Sequence, residues 1–114
     1  MEDCLFCRIA AGQIRVERLA ETDELFSFPD IQPMAPVHAL VIPKKHIVSL
    51  AELGDDGWPL VGRMHRLAVE VARKKGIGES GYRTLINTGP DGVQTVFHLH
   101  LHLLGGRPMR WPPG

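Results

Sequence analysis

The segment Val96-Phe97-His98-Leu99-His100-Leu101-His102-Leu103-Leu104 alternates apolar residues and histidines with a period of two. Successive side chains on an extended strand point to opposite faces. The spacing predicts a strand over 96–104, with Phe97, Leu99, Leu101 and Leu103 on one face and His98, His100 and His102 on the other. Same-face neighbours stand about 6.7 Å apart, twice the rise per residue. Three imidazoles at that pitch can reach one ligand, or one can act while the others bond to flanking groups. Two chemical readings stay open. His-x-His on a strand is one way to place metal ligands, although no acidic residue lies within Gln94–Arg110 to complete the set. The favoured reading is nucleophilic: near neutral pH a neutral imidazole needs no base. Attack on phosphorus gives a phosphoramidate-type bond that water can break later, and neighbouring donors can stabilise the phosphoryl charge.

Outward from this strand, Thr88–Val93 holds Gly89, Pro90 and Gly92 and reads as a tight turn after a strand over Tyr82–Asn87. Leu60–Lys75 is the clearest helix: Leu60, Val61, Met64, Leu67, Ala68 and Val71 share one face, leaving His65 on the polar one. Asp55, Asp56 and Pro59 suit its start, Arg73-Lys74-Lys75 its C-terminal dipole, and Gly76 its stop. A strand over His38–Ile42 ends at Pro43. Ile14–Ala20 and Glu24–Phe28 read as strands joined by a turn at Glu21-Thr22-Asp23, and Leu5–Ala11 as a short helix stopped by Gly12. The Gly- and Pro-rich tail, residues 105–114, cannot enter a central sheet. Strands joined mostly by turns, with one long helix inserted, point to an antiparallel α+β domain.

The 114 residues suffice for one domain, 1–114, with a thin core that a dimer interface would help. Thirteen basic and thirteen acidic side chains cancel, so neither nucleic acid nor a membrane surface is an expected partner, and phosphate affinity must be local. The start Met1-Glu2-Asp3-Cys4 is acidic and does not read as a signal peptide, and no apolar run is long enough to span a membrane. A cytoplasmic location is expected, with Cys4 and Cys7 either free or bound to metal.

His98-Leu99-His100-Leu101-His102-Leu103-Leu104 resembles the signature of the histidine triad (HIT) nucleotide hydrolases and transferases. The likeness extends to Pro36–His46, to Gly81-Tyr82-Arg83 with Asn87, and to Gln94–Phe97. Gly105-Gly106-Arg107 and the ending Trp111-Pro112-Pro113-Gly114 resemble the Hint branch, the purine nucleoside phosphoramidase-like group. The resemblance implies a five-stranded antiparallel sheet with a long helix and a short N-terminal one, and a homodimer in which two sheets join and the tail approaches the partner's site. It implies that His100 is the nucleophile toward the α-phosphorus of a purine nucleotide ester or phosphoramidate, with His102 and His38 assisting. Thr95 falls beside the leaving group, where Hint members usually carry Ser; Gln94-Thr95-Val96 is closer to the Fhit branch. Asn87 matches a phosphate contact and Asp30 the carboxylate on the ribose hydroxyls. Leu5, Phe6, Ile9, Phe28 and Ile31 match the apolar slot for the base, and several of them also suit ordinary core packing.

Cys4-x-x-Cys7 by itself fits a redox pair, two small buried residues, or half a metal site, but the βαβ context of a redox motif is absent. The resemblance implies a structural zinc site completed by His46 and His98, leaving His100 and His102 free, with no cofactor needed for catalysis. Three functions follow as expectations. The first is a nucleoside phosphoramidase or related nucleotide hydrolase, with dinucleoside polyphosphates as alternative substrates. The second is a nucleotide-binding regulatory module with vestigial activity, and the third a metal-dependent hydrolase.

Overall fold

The computed structural model describes residues 3–114; Met1 and Glu2, part of the start read as carrying no signal peptide, lie outside the described residues. The elements are α1 (Leu5–Ala10), β1 (Ala20–Glu21), β2 (Leu25–Pro29), β3 (Val37–Pro43), α2 (Trp58–Lys74), β4 (Tyr82–Leu85) and β5 (Leu101–Gly105). Single 3-10 turns at Leu50–Glu52 and Asp55–Gly57 lead into α2. The five strands form one antiparallel sheet in the order β1-β2-β3-β5-β4, as expected for the α+β class.

Alternation along the strands gives the sheet two different faces. Leu25, Val41, Leu99 and Leu101 pack under Met64, Leu67 and Ala68 of α2, and Ala39 and Leu103 continue that layer with Val71 and Ala72. The opposite face carries Phe26, Phe28, Leu40 and Ile42, covered by Phe6 and Ile9 of α1. His102, cross-strand from Leu40, lies on this second face. The helix that covers one face therefore leaves the histidines to the other.

α2 buries Met64, Leu67, Ala68, Val71 and Ala72, an i, i+3, i+4, i+7, i+8 stripe. It starts two residues before the predicted Leu60, and Pro59 sits in its first turn. It ends in a Schellman motif: Ile77 N–H donates to the Ala72 carbonyl at 3.0 Å and Gly76 N–H to that of Arg73 at 3.1 Å. Gly76 takes φ +74°, and Ile77 buries itself against Val71 and Ala72. The glycine expected to stop the helix does so through its left-handed conformation.

Two strand expectations need correction. The sequence predicts a strand over Ile14–Ala20, yet only Ala20–Glu21 pairs with β2. Ile14 and Val16 are half-buried against the α1-side core, so the alternation reports a buried side rather than a hydrogen-bonded ladder. In the other case, the predicted strand over 96–104 pairs only from Leu101 onward. The β3–β5 ladder closes at Val41↔Leu101; continuing the register would set Leu99 against Pro43, which has no N–H to give, and Leu99 N–H bonds the Ile47 carbonyl instead. Freed from the sheet, Phe97 turns outward and is 63% exposed instead of joining Leu99 in the core.

Candidate functional site

The histidines occupy the face covered by α1, where the chain approaches and then enters β5 beside β3. His98 and His100 precede the paired part of the strand, and His102 lies within it. His98 is fully buried and His100 nearly so. The Phe6 ring stands edge-on to both, its centroid 5.8 Å from His98 and 5.1 Å from His100.

Hydrogen-bond partners assign the tautomer of each ring. Met34 N–H donates to His38 Nδ1 at 3.0 Å, so in neutral His38 the proton is on Nε2. That Nε2–H lies 2.9 Å from His102 Nδ1 and 3.4 Å from Asp30 Oδ2; the shorter contact takes the bond. His102 Nδ1 is then an acceptor and its Nε2 carries the proton. This Nε2 is buried and has no partner among the described residues. His100 Nδ1–H donates to the His98 carbonyl at 2.7 Å, which leaves the lone pair on His100 Nε2. Burial depresses the pKa of His38 despite the Asp30 carboxylate. Burial likewise lowers His100, against the pull of its hydrogen bond to the His98 carbonyl. His102 is pushed down to about 4, by burial first and then by repulsion from His100 and His38. All three rings are neutral at pH 7, so the face presents a lone pair on His100 beside an unused donor on His102, with ring centroids 4.9 Å apart.

His98 faces a different group. Its Nδ1 lies 3.3 Å from Cys4 Sγ and 3.5 Å from Cys7 Sγ, while His46 Nδ1 lies 3.2 Å from Cys7 Sγ. One donor atom from each of the four lies within 4.8 Å of the others. Tetrahedral zinc with ordinary bond lengths sets sulfur and nitrogen ligands about 3.5 Å apart, so these spacings fit such an ion. The protonation fits as well: His98 Nε2–H donates to the Pro43 carbonyl at 2.7 Å, which aims an unprotonated Nδ1 at the thiols. Without a cation, burial and the neighbouring Cys4 push the Cys7 thiol up to about 11. Asp30, His38 and His102 also cluster, but the proton on His38 Nε2 occupies the space an ion would need.

The remaining predicted residues are spread around this face. Phe6, Ile9 and Phe28 are buried together, the first and last edge-on at 6.1 Å. Leu5 is 43% and Ile31 86% exposed, so these two are outside the core. Asp30 accepts from Gln32 N–H at 2.8 Å through Oδ1. Asn87 is half-buried, two residues past β4. Thr95 is exposed and lines a cleft of about 430 Å³ with Cys4, Leu5, His46 and Phe97. Gln94 is a further residue of the site that sequence reasoning does not single out. It is buried, donates to the Val48 and Val96 carbonyls at 2.7 and 3.2 Å, and accepts from Gly89 N–H at 3.1 Å. It ties the turn before the triad to the loop after β3; its place just ahead of Thr95 was the only signal in the sequence.

A small antiparallel sheet that sets three histidines on one face at the head of β5, with a fourth from β3 bonded to the third, defines the class of histidine triad proteins. The chain belongs to that family, HIT. The family model described as scavenger mRNA decapping enzyme C-terminal binding matches residues 3–110. An uncharacterised HIT-like protein of Synechococcus elongatus is 47% identical over 113 residues, covering 99% of this chain and 98% of its own. A HIT family hydrolase from Legionella pneumophila superposes with a TM-score of 0.94 at 46% identity, covering 98% of this chain and all of its own. A zinc-bound histidine triad family protein from Mycobacterium smegmatis superposes with a TM-score of 0.80 at 33% identity, covering 93% and 76%.

Proposed function

We propose that this protein hydrolyses purine nucleoside 5′-phosphoramidates or related nucleotide conjugates through a nucleotidyl–His100 intermediate. The observation that carries the reading is the tautomer of His100: its Nδ1–H is held by the His98 carbonyl, so Nε2 offers its lone pair without a base. His100 Nε2 bonds to the α-phosphorus, the bond from phosphorus to the leaving amine breaks, and the amine departs with a proton taken from solvent, which the attacking water of the next step gives back. Thr95 provides a hydroxyl on the leaving-group side. Water then attacks the same phosphorus and releases nucleoside monophosphate and neutral His100. His102 Nε2–H, buried and without a partner among the described residues, is a donor for a phosphoryl oxygen, and the His38 bond holds it in that form. Asn87 adds a phosphate contact, Asp30 Oδ2 accepts from the ribose, and the base lies against Phe6, Ile9 and Phe28, with Leu5 and Ile31 at the rim.

Zinc at Cys4, Cys7, His46 and His98 is the structural ion of this reading; it ties α1 to the end of β3 and the approach to β5. The chain's reduced-thiol ligands suit a cytoplasmic setting, and among the described residues no helix is long and apolar enough to cross a membrane. A homodimer formed through the open edge of β4 is supported by that edge and by the exposed Trp111 beyond it.

Rapid-quench mass spectrometry with an adenosine phosphoramidate tests the proposal. A transient nucleotidyl adduct on His100 is expected, and His100→Ala should lose several orders of magnitude in kcat while still binding AMP. Near-wild-type turnover by that variant would overturn it.

A further inference from the structure

His98 has three anchors. Its ring Nδ1 faces the Cys4 and Cys7 sulfurs, its ring Nε2–H is bonded to the Pro43 carbonyl, and its own carbonyl holds the His100 Nδ1–H. The chain here has no strand pairing, because β5 begins only at Leu101. The ladder that would ordinarily aim the His98 carbonyl is missing. Leu99 is anchored in the core under α2, its N–H bonds the Ile47 carbonyl at 2.6 Å next to His46, and Gln94 holds the Val96 carbonyl; at His98 itself the anchor is the ring. The same four-residue cluster also sets α1, since Cys4 is its N-cap and Cys7 lies in its first turn, and α1 carries the Phe6 ring that stands against His100.

We infer that the Cys4–Cys7–His46–His98 cluster, with its metal bound, positions the nucleophile: it aims the His98 carbonyl and the Phe6 ring, and through them holds His100 with Nδ1–H inward and Nε2 outward. His98 is thus a positioning residue, and the metal site acts on the reaction without touching substrate. The inference rests on the reading of His100 as nucleophile. An imidazole free to rotate, or to exchange its proton between nitrogens, presents the lone pair only part of the time. A loosened His98 therefore lowers kcat more than it weakens nucleotide binding.

The test compares zinc-loaded protein with protein stripped by chelation, each labelled with 15N-histidine. Ring nitrogen shifts report the His100 tautomer, and steady-state kinetics on an adenosine phosphoramidate report kcat and KM. Expected are a single Nδ1–H form with zinc, a mixture without it, and a kcat loss of about tenfold or more with KM changed less than about twofold. A stripped chain that stays folded and keeps the single tautomer and full kcat overturns the inference. So does a loss confined to KM. Should the stripped chain unfold, cadmium replaces zinc; its longer thiolate bonds should shift the His100 ring resonances and kcat together, and unchanged values of both overturn the inference. Zinc-loaded His100→Ala separates the two claims. If it turns over substrate, the nucleophile assignment fails, whereas metal dependence of the His100 tautomer is read from wild-type protein and stands or falls independently.

Discussion

His38 Nε2 lies 2.9 Å from His102 Nδ1, a diagonal contact between β3 and β5 on the face opposite α2. Because Met34 N–H occupies the other nitrogen of His38, the proton between the two rings belongs to His38 and the outward proton to His102. The neutral donor on His102 is therefore set two residues away from the chemistry, by a loop amide.

Replacing His38 by Ala should release that tautomer without emptying the site. Turnover is expected to fall by about 10²-fold, the scale of a misplaced catalytic group, with KM nearly constant. His38→Gln, which keeps a donor, should recover part of the loss. Parallel steady-state kinetics on the two variants make the check, and equal activity in both and in wild type would refute the role.

Stability should depend on pH through His102. Its folded pKa is depressed to about 4 from 6.5, so between those values the unfolded chain binds a proton that the folded one does not. The contribution is fully present above pH 6.5 and is lost as pH falls through 6.5 toward 4, flattening below. His38, also depressed, acts in the same direction. Urea unfolding at pH 7.5, 6, 5 and 4 should show this decline, and His102→Gln should make it shallower. A variant whose pH slope matches wild type would contradict the assignment.

Val93 adopts φ +60°, a left-handed conformation rare for a β-branched residue, just before Gln94 and Thr95. Such backbone costs about 1–2 kcal/mol. Val93→Gly should raise stability by up to about 1 kcal/mol after the entropy cost of glycine, read from urea midpoints. A loss of stability would mean that the 68%-exposed Val93 side chain makes contacts that outweigh the strain.

Metal content has its own outcome. Protein purified without chelator should carry about one zinc per chain, and stripping it should lower Tm, since structural zinc contributes to folding free energy outright. Elemental analysis with a thermal scan is the check. Absence of zinc together with freely reactive Cys4 and Cys7 would leave these two as packing residues.

The tail bears on assembly. Trp111 is 81% exposed, and Arg83, whose guanidinium lies 5.8 Å from its ring centroid, donates to the Arg110 carbonyl at 3.0 Å. These contacts hold the tail beside β4 and the edge expected to join two sheets. Sedimentation at micromolar concentration should give a dimer, and removing residues 108–114 should alter substrate preference more than Tm. A monomer in that measurement ends the dimer proposal.

Much of this was legible from residue order alone. The period of two set His100 and His102 against Leu101 and Leu103, and the stripe Met64, Leu67, Ala68, Val71 identified the helix that would cover the apolar side. Gly76 marked the end of that helix. These features depend on side-chain spacing along one element, which sequence states directly.

Hydrogen-bond partners do not. That β5 starts at Leu101 depends on Pro43, far away in sequence, having no N–H; that Phe97 faces solvent follows from the same break. The triad's division of labour is likewise tertiary. His98 turns to Cys4, Cys7 and Pro43, His100 to the carbonyl of His98, and His102 to His38. Three chemically identical rings on one short stretch of chain differ only in which atoms meet their two nitrogens. Alternation could put the histidines on one side of the sheet, but only the packed chain determined which nitrogen of each carries the proton.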